Sequence, residues 1–333
     1  MDVLMNTGIR VIVLLQSATW LQAPMRFFTF LGYGDFYFLI LPALYWCIDA
    51  RLGIRMGLIV FASSMFNELG KLAFHEPRPY WVSLQVKALA AEPTFGIPSG
   101  HAQNGVAIWG MLAASVRRRA VWVGAIVLVF LISVSRLYLG VHFPHDIVAG
   151  WLIGASILWA FLALWEPVSR RLAGLGLGRF TLILMGICGL FLAADGIMVM
   201  SLRNHITPAA WVANAARAGG AAIPDISMQS MLTYTGAFLG FALGLRWMNQ
   251  RGGFTPSGSI WRRVLCYAVG LAGVLILYIG LKAVLPSGED MLGSTLRFVR
   301  YGAAGLWIAG GAPALFRRLG LMPTSAEDFN QSL

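Results

Sequence analysis

Residues 119–166 read RAVWVGAIVLVFLISVSRLYLGVHFPHDIVAGWLIGASILWAFLALWE. Two runs in this stretch, 120–137 and 147–165, are almost wholly apolar. Each is long enough to cross a hydrocarbon core as a helix, which takes about 17–25 residues. The link between them, 138–146, instead carries His142, His145 and Asp146, with Arg136 just before it. In lipid a helix satisfies its own backbone hydrogen bonds, so alternation of apolar runs with short polar links is the signature of a helical membrane protein. The same alternation extends outward to 34–49, 53–75 and 102–116 on one side and to 180–201, 228–246, 262–285 and 297–315 on the other. The expected fold is an all-α, polytopic transmembrane helical bundle with about nine spans, within a range of eight to ten.

Composition agrees. Of 333 residues, 58% are hydrophobic and 12% are charged, whereas soluble domains carry about 25% charged residues. A water-soluble enzyme, a disordered tail and a disulfide-stapled secreted module are excluded. Residues 8–23 are apolar but interrupted by Arg10, Gln16, Ser17, Thr19 and Gln22. They are expected to form an amphipathic or interfacial helix within an N-terminal segment 1–33, with a tenth span as the other reading. Cys47, Cys188 and Cys266 lie in apolar runs, without metal-ligand spacing, and are read as small hydrophobes.

The net charge of +11 comes mostly from arginine, with only Lys71, Lys87 and Lys282 as lysines. The arginines form short groups between apolar runs rather than one patch, so no nucleic acid is expected as a partner. If the spans alternate, fourteen arginines, among them Arg117–Arg119, Arg170, Arg171, Arg262 and Arg263, fall on one side. By the positive-inside rule that side is cytoplasmic, and segments 76–101 and 138–146 face outward.

Charged residues at the ends of apolar helices are costly and mark function. Here they concentrate between Lys71 and Asp146, as KLAFHEPRP (71–79), PSGH (98–101) and SRLYLGVHFPHD (135–146). Lys71, Arg78 and Arg136 put three positive charges on one membrane face, suited to a phosphate; arginine grips it bidentately and lysine acts as a point charge. Ser99 suits the N-cap of the following helix and Gly100 allows close backbone approach, with free N–H groups directed at an anion. Pro144 suits a helix start. Asp146, four residues after His142, can accept one imidazole N–H and leave the other nitrogen to attack. His101 is then available to protonate a leaving oxygen. With no acidic pair or HExxH spacing to hold a metal, the expected chemistry is metal-free phosphoryl transfer through a phosphohistidine, without a cofactor.

These three blocks resemble the type 2 phosphatidic acid phosphatase superfamily, integral-membrane lipid phosphate phosphatases. Its signature is Lys-x6-Arg-Pro, Pro-Ser-Gly-His and Ser-Arg-x5-His-x3-Asp. All defined positions are matched, by Lys71, Arg78, Pro79, Pro98–His101, Ser135, Arg136, His142 and Asp146. Two further Pro-Ser-Gly triplets, 256–258 and 286–288, lack the histidine. The resemblance implies that His142 is the nucleophile, Asp146 its orienter and His101 the general acid. It also implies that Lys71, Arg78, Ser99, Gly100 and Arg136 hold the phosphate. It covers a phosphatase core at 34–166; residues 180–333 read as an extension of about four spans.

Outside the signature, His75, Arg297 and Arg300 are candidate headgroup contacts, Arg297 and Arg300 also being readable as interfacial anchors together with Tyr301. His145 is expected in a supporting role, Asp195 near the outer helix end, with an intramembrane functional carboxylate as the other reading, and His205 solvated in an outer loop. The expected activity is hydrolysis of a lipid phosphomonoester or diphosphate, such as a prenyl diphosphate, phosphatidylglycerophosphate or phosphatidic acid. The site would face the periplasmic or extracytoplasmic side of a cytoplasmic (inner) membrane, with the lipid bilayer and the lipid phosphate as partners and no obligate protein partner. The alternatives are a phosphotransferase passing the group to an acceptor hydroxyl, and a lipid transporter on the same fold.

Overall fold

The structure, a computed structural model, describes residues 3–223, 225–286 and 288–322. Residues 323–333 of the expected extension, and Ser287 within the second Pro-Ser-Gly triplet, lie outside the described residues. Among the described residues all regular structure is helical. In chain order the α-helices are α1 (Val3–Ser17), α2 (Gln22–Phe30), α3 (Gly34–Ala43), α4 (Ala50–Phe74), α5 (Pro79–Val82), α6 (Gly100–Val116) and α7 (Arg119–Tyr138). They continue with α8 (Pro144–Ala173), α9 (Leu177–Ser201), α10 (Ala209–Arg217), α11 (Gln229–Asn249), α12 (Ile260–Val284), α13 (Met291–Leu306) and α14 (Ala312–Arg318).

Among the described residues, five segments are long and apolar enough to cross a membrane: Ala50–Val82, Arg119–Tyr138, Pro144–Ala173, Leu177–Ser201 and Ile260–Val284. Val3–Ser17 with Thr19–Phe30, bent by 84°, makes a sixth if the pair is one broken span. The chain is an integral membrane protein of five to six such segments, fewer than the nine expected. The other stretches are helical but fall short for identifiable reasons. Gly34–Ile48 is a short apolar helix, α6 has 17 residues and α13 has 16. Helix α11 is long enough, yet it carries Gln229, Ser230, Thr233 and Thr235 and three glycines on its buried side. A helix that faces protein rather than lipid has no need of a continuous apolar surface.

Two compact units divide the chain: Met1–Tyr37, Phe66–Trp159 and Ile197–Ser227 form the first, and Phe38–Met65, Ala160–Gly196 and Met228–Leu333 the second. In the first unit the N-terminal helices contribute to the protein core. Ile9 and Ile12 of α1 are buried in one core with Tyr80, Trp81, Tyr138 and Phe143. Gln16, whose polarity blurs the apolar run, is itself buried. It donates to the carbonyls of Lys87 (2.8 Å) and Tyr138 (2.9 Å) and accepts from the Lys87 N–H (3.0 Å).

In the second unit Tyr45 and Trp46 donate to the carbonyls of Ala309 and Ile308, both at 2.9 Å. Those acceptors lie in a single π-turn, Trp307–Gly311, where widening of the helix shifts the regular hydrogen-bond pattern. Helices α11 and α13 run parallel at close quarters, since Gly236, Gly240 and Gly244 meet the backbone at Phe298, Gly302 and Leu306 in turn. A side chain at Gly240 would strike the Gly302 carbonyl, whereas Gly189 of α9 has nothing within 4 Å. Gly240→Leu is therefore expected to cost at least about 1–3 kcal/mol of stability, and Gly189→Leu almost none. Thermal unfolding in detergent checks this; equal midpoints for the two variants would contradict the packing.

Candidate active site

Four backbone features of the first unit bring the polar residues together. Helix α7 ends in a turn with Gly140 at φ +74°, and Pro144 opens α8 two residues after His142. Gly150 and Gly154 let α8 approach the backbone of α6 at Ser99 and Gln103, and the Ser99 N–H donates to the Asp146 carbonyl at 3.0 Å. Asn67 of α4 ties in from the third side, donating to Gln103 Oε1 at 2.9 Å and to the Pro98 carbonyl at 3.3 Å. Lys71 follows Asn67 one turn later, on the same helix face.

His142 and Asp146 are buried. His142 Nδ1 lies 3.1 Å from Asp146 Oδ2, which also accepts the Phe143 N–H at 2.9 Å. With a carboxylate as partner Nδ1 carries the proton, leaving Nε2 with the free lone pair. Nε2 faces Arg78, whose Nη1 is 3.4 Å away. Burial first, and then the charges of Arg78, Arg136 and Lys71, hold the His142 imidazole well below its ordinary pKa, so it is neutral at pH 7. His145 stacks on Phe143 with centroids 5.1 Å apart; its Nε2 is 3.3 Å from Asp146 Oδ1, a contact without hydrogen-bond alignment.

Lys71 and Arg78 are held by main-chain oxygens and the Thr94 hydroxyl, Arg136 by side chains. Lys71 Nζ donates to Thr94 Oγ1 at 2.7 Å and to the Phe95 carbonyl at 2.8 Å. Arg78 donates to the carbonyls of Thr94 (2.5 Å), Val141 (2.6 Å) and Phe95 (3.1 Å) and to Thr94 Oγ1 at 3.0 Å. Arg136 Nη1 donates to Thr29 Oγ1 at 2.6 Å, its guanidinium lies 5.7 Å from the centre of the Tyr33 ring, and Nη2 pairs closely with Glu92 Oε1. Glu92 Oε2 is 3.8 Å from Arg78 Nη2.

Ser99 occupies the N-cap position of α6, but its hydroxyl makes no capping bond. Ser99 Oγ, His101 Nε2 and Arg136 Nε are buried without a hydrogen-bond partner. Buried polar atoms are ordinarily satisfied, and an oxyanion at the start of α6 would supply acceptors or partners to all three. The expected site residues Lys71, Arg78, Ser99, Gly100, His101, Arg136, His142 and Asp146 thus all belong to one compact unit.

Of the candidate headgroup contacts, His75 belongs to that unit and Arg297 and Arg300 to the second. Arg300 is buried, near the rings of Tyr278 and Tyr301, and Arg297 Nη1 reaches Thr233 Oγ1 at 3.4 Å. Asp195 is buried within α9. His205 is not simply solvated: its ring packs on His75, with centroids 5.3 Å apart, and on Phe95, and its Nε2 is buried. Thr29, Tyr33, Glu92, Thr94 and Phe95 lie outside every motif. The signal that could have found Glu92 is acidity itself, because the chain has only 14 acidic residues and this one lies between the first two signature blocks, in the loop that begins with Arg78.

Residues 52–170 match the PAP2 superfamily, and residues 232–325 match the transmembrane extension of PAP2 superfamily phosphatases. Among individual relatives, glucose-6-phosphatase 3 of Rattus norvegicus is 32% identical over 190 residues, covering 50% of this chain and 52% of that protein. Undecaprenyl-diphosphatase of Sulfolobus acidocaldarius is 31% identical over 108 residues, covering 32% of this chain and 52% of that one. Phosphatidylglycerophosphatase B of Bacillus subtilis is 27% identical over 168 residues, 45% of this chain and 78% of that one. The chain thus spans about half the length of the first two.

Burial alone would raise the Glu92 carboxyl, but Arg136 and Arg78 outweigh it and hold the pKa at about 2. A carboxyl whose folded-state pKa is depressed adds stability above its unfolded value near 4.5, and that contribution is lost as pH falls toward 2. Glu92→Gln is expected to lower the unfolding temperature at neutral pH and to flatten its decline between about pH 4.5 and 3. Parallel pH profiles for the two proteins would refute the pairing.

Proposed function

We infer that this chain, which belongs to the PAP2 superfamily, is a membrane lipid phosphate phosphatase that hydrolyses a lipid phosphomonoester or diphosphate through a phosphohistidine. The observation that carries this reading is His142 set between Asp146, 3.1 Å from Nδ1, and Arg78, 3.4 Å from Nε2. One side fixes the tautomer and the other brings a phosphate-binding cation to the attacking nitrogen.

In the first step His142 Nε2 attacks phosphorus in line, the P–N bond forms, and the bond to the leaving oxygen breaks as His101 protonates that oxygen. His101 then takes a proton from water, the water oxygen attacks phosphorus, and the P–N bond breaks to release inorganic phosphate. Lys71, Arg78, Arg136, Ser99 and the N–H groups at Gly100 stabilise charge on the equatorial oxygens throughout. No step calls for a cofactor. Asp146 holds the imidazole orientation and balances the charge it gains as the P–N bond forms.

The two matched regions support a phosphatase core at 34–166 followed by an extension at 180–333. In the full reading the short helices also cross the bilayer, giving about nine spans. The arginine-rich loops lie on the cytoplasmic side of an inner membrane and the site opens on the periplasmic side. A second reading, a water-soluble sugar phosphate as substrate, is favoured by the likeness to the glucose-6-phosphatase 3 proteins.

The test is phosphate release by detergent-purified protein in EDTA, on phosphatidic acid, phosphatidylglycerophosphate, a prenyl diphosphate and glucose 6-phosphate. Release from a lipid is expected, falling at least about 10³-fold in His142→Ala and on the order of 10³–10⁴-fold in Asp146→Asn. Turnover of glucose 6-phosphate alone would select the second reading. Release only on addition of an acceptor alcohol would select a phosphotransferase. Because His142 must be neutral to attack and its pKa is depressed, the acid limb of kcat/KM is expected below about pH 6.5. A limb at or above that value contradicts His142 as nucleophile.

A further inference from the structure

Glu92 belongs to no signature block, yet its carboxylate faces the groups assigned to the phosphate. It pairs with Arg136 through Oε1 and lies 3.8 Å from Arg78 through Oε2, and it interacts electrostatically with His101 and Lys71 as well. One carboxylate thus reaches both arginines of the expected cradle and lies in the field of the lysine and the expected general acid. A phosphate at this site would face the same four groups.

We propose that Glu92 stands in for the substrate phosphate in the resting protein, so that a phosphomonoester enters by displacing its carboxylate and Glu92 sets the affinity of the site for dianions. The proposal rests on the reading of Lys71, Arg78 and Arg136 as a phosphate cradle.

Three features make Glu92 a placeholder rather than a permanent member of the cradle. Its carboxylate is flat and reaches the Nη2 atoms of the two arginines, leaving Ser99 Oγ, His101 Nε2 and Arg136 Nε unpartnered; a tetrahedral oxyanion has further oxygens to offer them. Its side chain is 17% exposed while both guanidiniums are at 0%, and its neighbours Ala91 and Pro93 are exposed, so the carboxylate has a way out to solvent. Lys71 and Arg78 do not depend on it for position, because Thr94, Phe95 and Val141 hold them, and Thr29 holds the other terminal nitrogen of Arg136. A dianion replacing one carboxylate also improves the charge balance against three cations.

The experiment is calorimetric titration of the full-length, detergent-purified protein with inorganic phosphate at fixed ionic strength, for wild type, Glu92→Gln and Glu92→Asp. Both variants are expected to bind phosphate on the order of tenfold more tightly or better, the first because the competing charge is gone and the second because the shorter side chain falls short of Arg136. The KM for a short-chain phosphatidic acid should fall in parallel. Aspartate keeps a buried acid near the arginines, so the comparison survives if the glutamine variant does not fold. Equal or weaker phosphate binding in the variants, with wild type binding normally, overturns the placeholder and leaves the cradle standing. Absence of phosphate binding in all three overturns the cradle reading and the placeholder together.

Discussion

Two guanidinium groups, Arg78 and Arg136, and the Lys71 ammonium are buried within one compact unit of an apolar protein. Ions removed from water cost several kcal/mol each unless hydrogen bonds and counter-charge replace the lost solvent. Much of the first unit serves that replacement. The segment between α5 and α6 turns the Thr94 and Phe95 carbonyls and the Thr94 hydroxyl toward Lys71 and Arg78. The turn after α7 supplies the Val141 carbonyl. Helix α2 supplies the Thr29 hydroxyl and the following turn the Tyr33 ring. Glu92 supplies the single carboxylate that meets both arginines.

The same surroundings act on His142, the proposed nucleophile. Burial first, and then three neighbouring cations, hold this histidine neutral, and a neutral imidazole can attack phosphorus whereas an imidazolium cannot. Asp146 offsets part of that field and fixes the tautomer. In the proposed reaction, the burial and positive charge that suit the site to a phosphate thus also keep His142 neutral, and one arrangement meets two chemical requirements.

Legibility in the sequence followed what each residue faces. Helices α7, α8, α9 and α12 lie in long apolar runs with many exposed apolar side chains, and lipid imposes that composition on any helix it surrounds. Helices α11 and α13 pack on each other through glycine, so hydropathy describes them poorly, and their expected spans do not stand out by length and composition. In residues 8–23 the polar side chains pointed to an interfacial helix, and the structure adds that one of them, Gln16, is buried and bonds to the backbone at Lys87 and Tyr138. A glutamine at a water interface and one satisfied by remote carbonyls look alike in a hydropathy profile.

By itself the sequence determined the helical membrane class, the order and spacing of the three blocks, and the pairing of His142 with Asp146. These are local matters: an apolar run, a proline at a helix start and a separation of four residues act through the chain's own geometry. Tertiary structure alone decided that Thr29 and Tyr33 would meet Arg136, that His205 would pack on His75, and that Glu92 would lie among the cations. Contacts between residues 44 or 107 positions apart depend on how helices pack, and no short-range pattern encodes where a buried charge finds its neutralising partner.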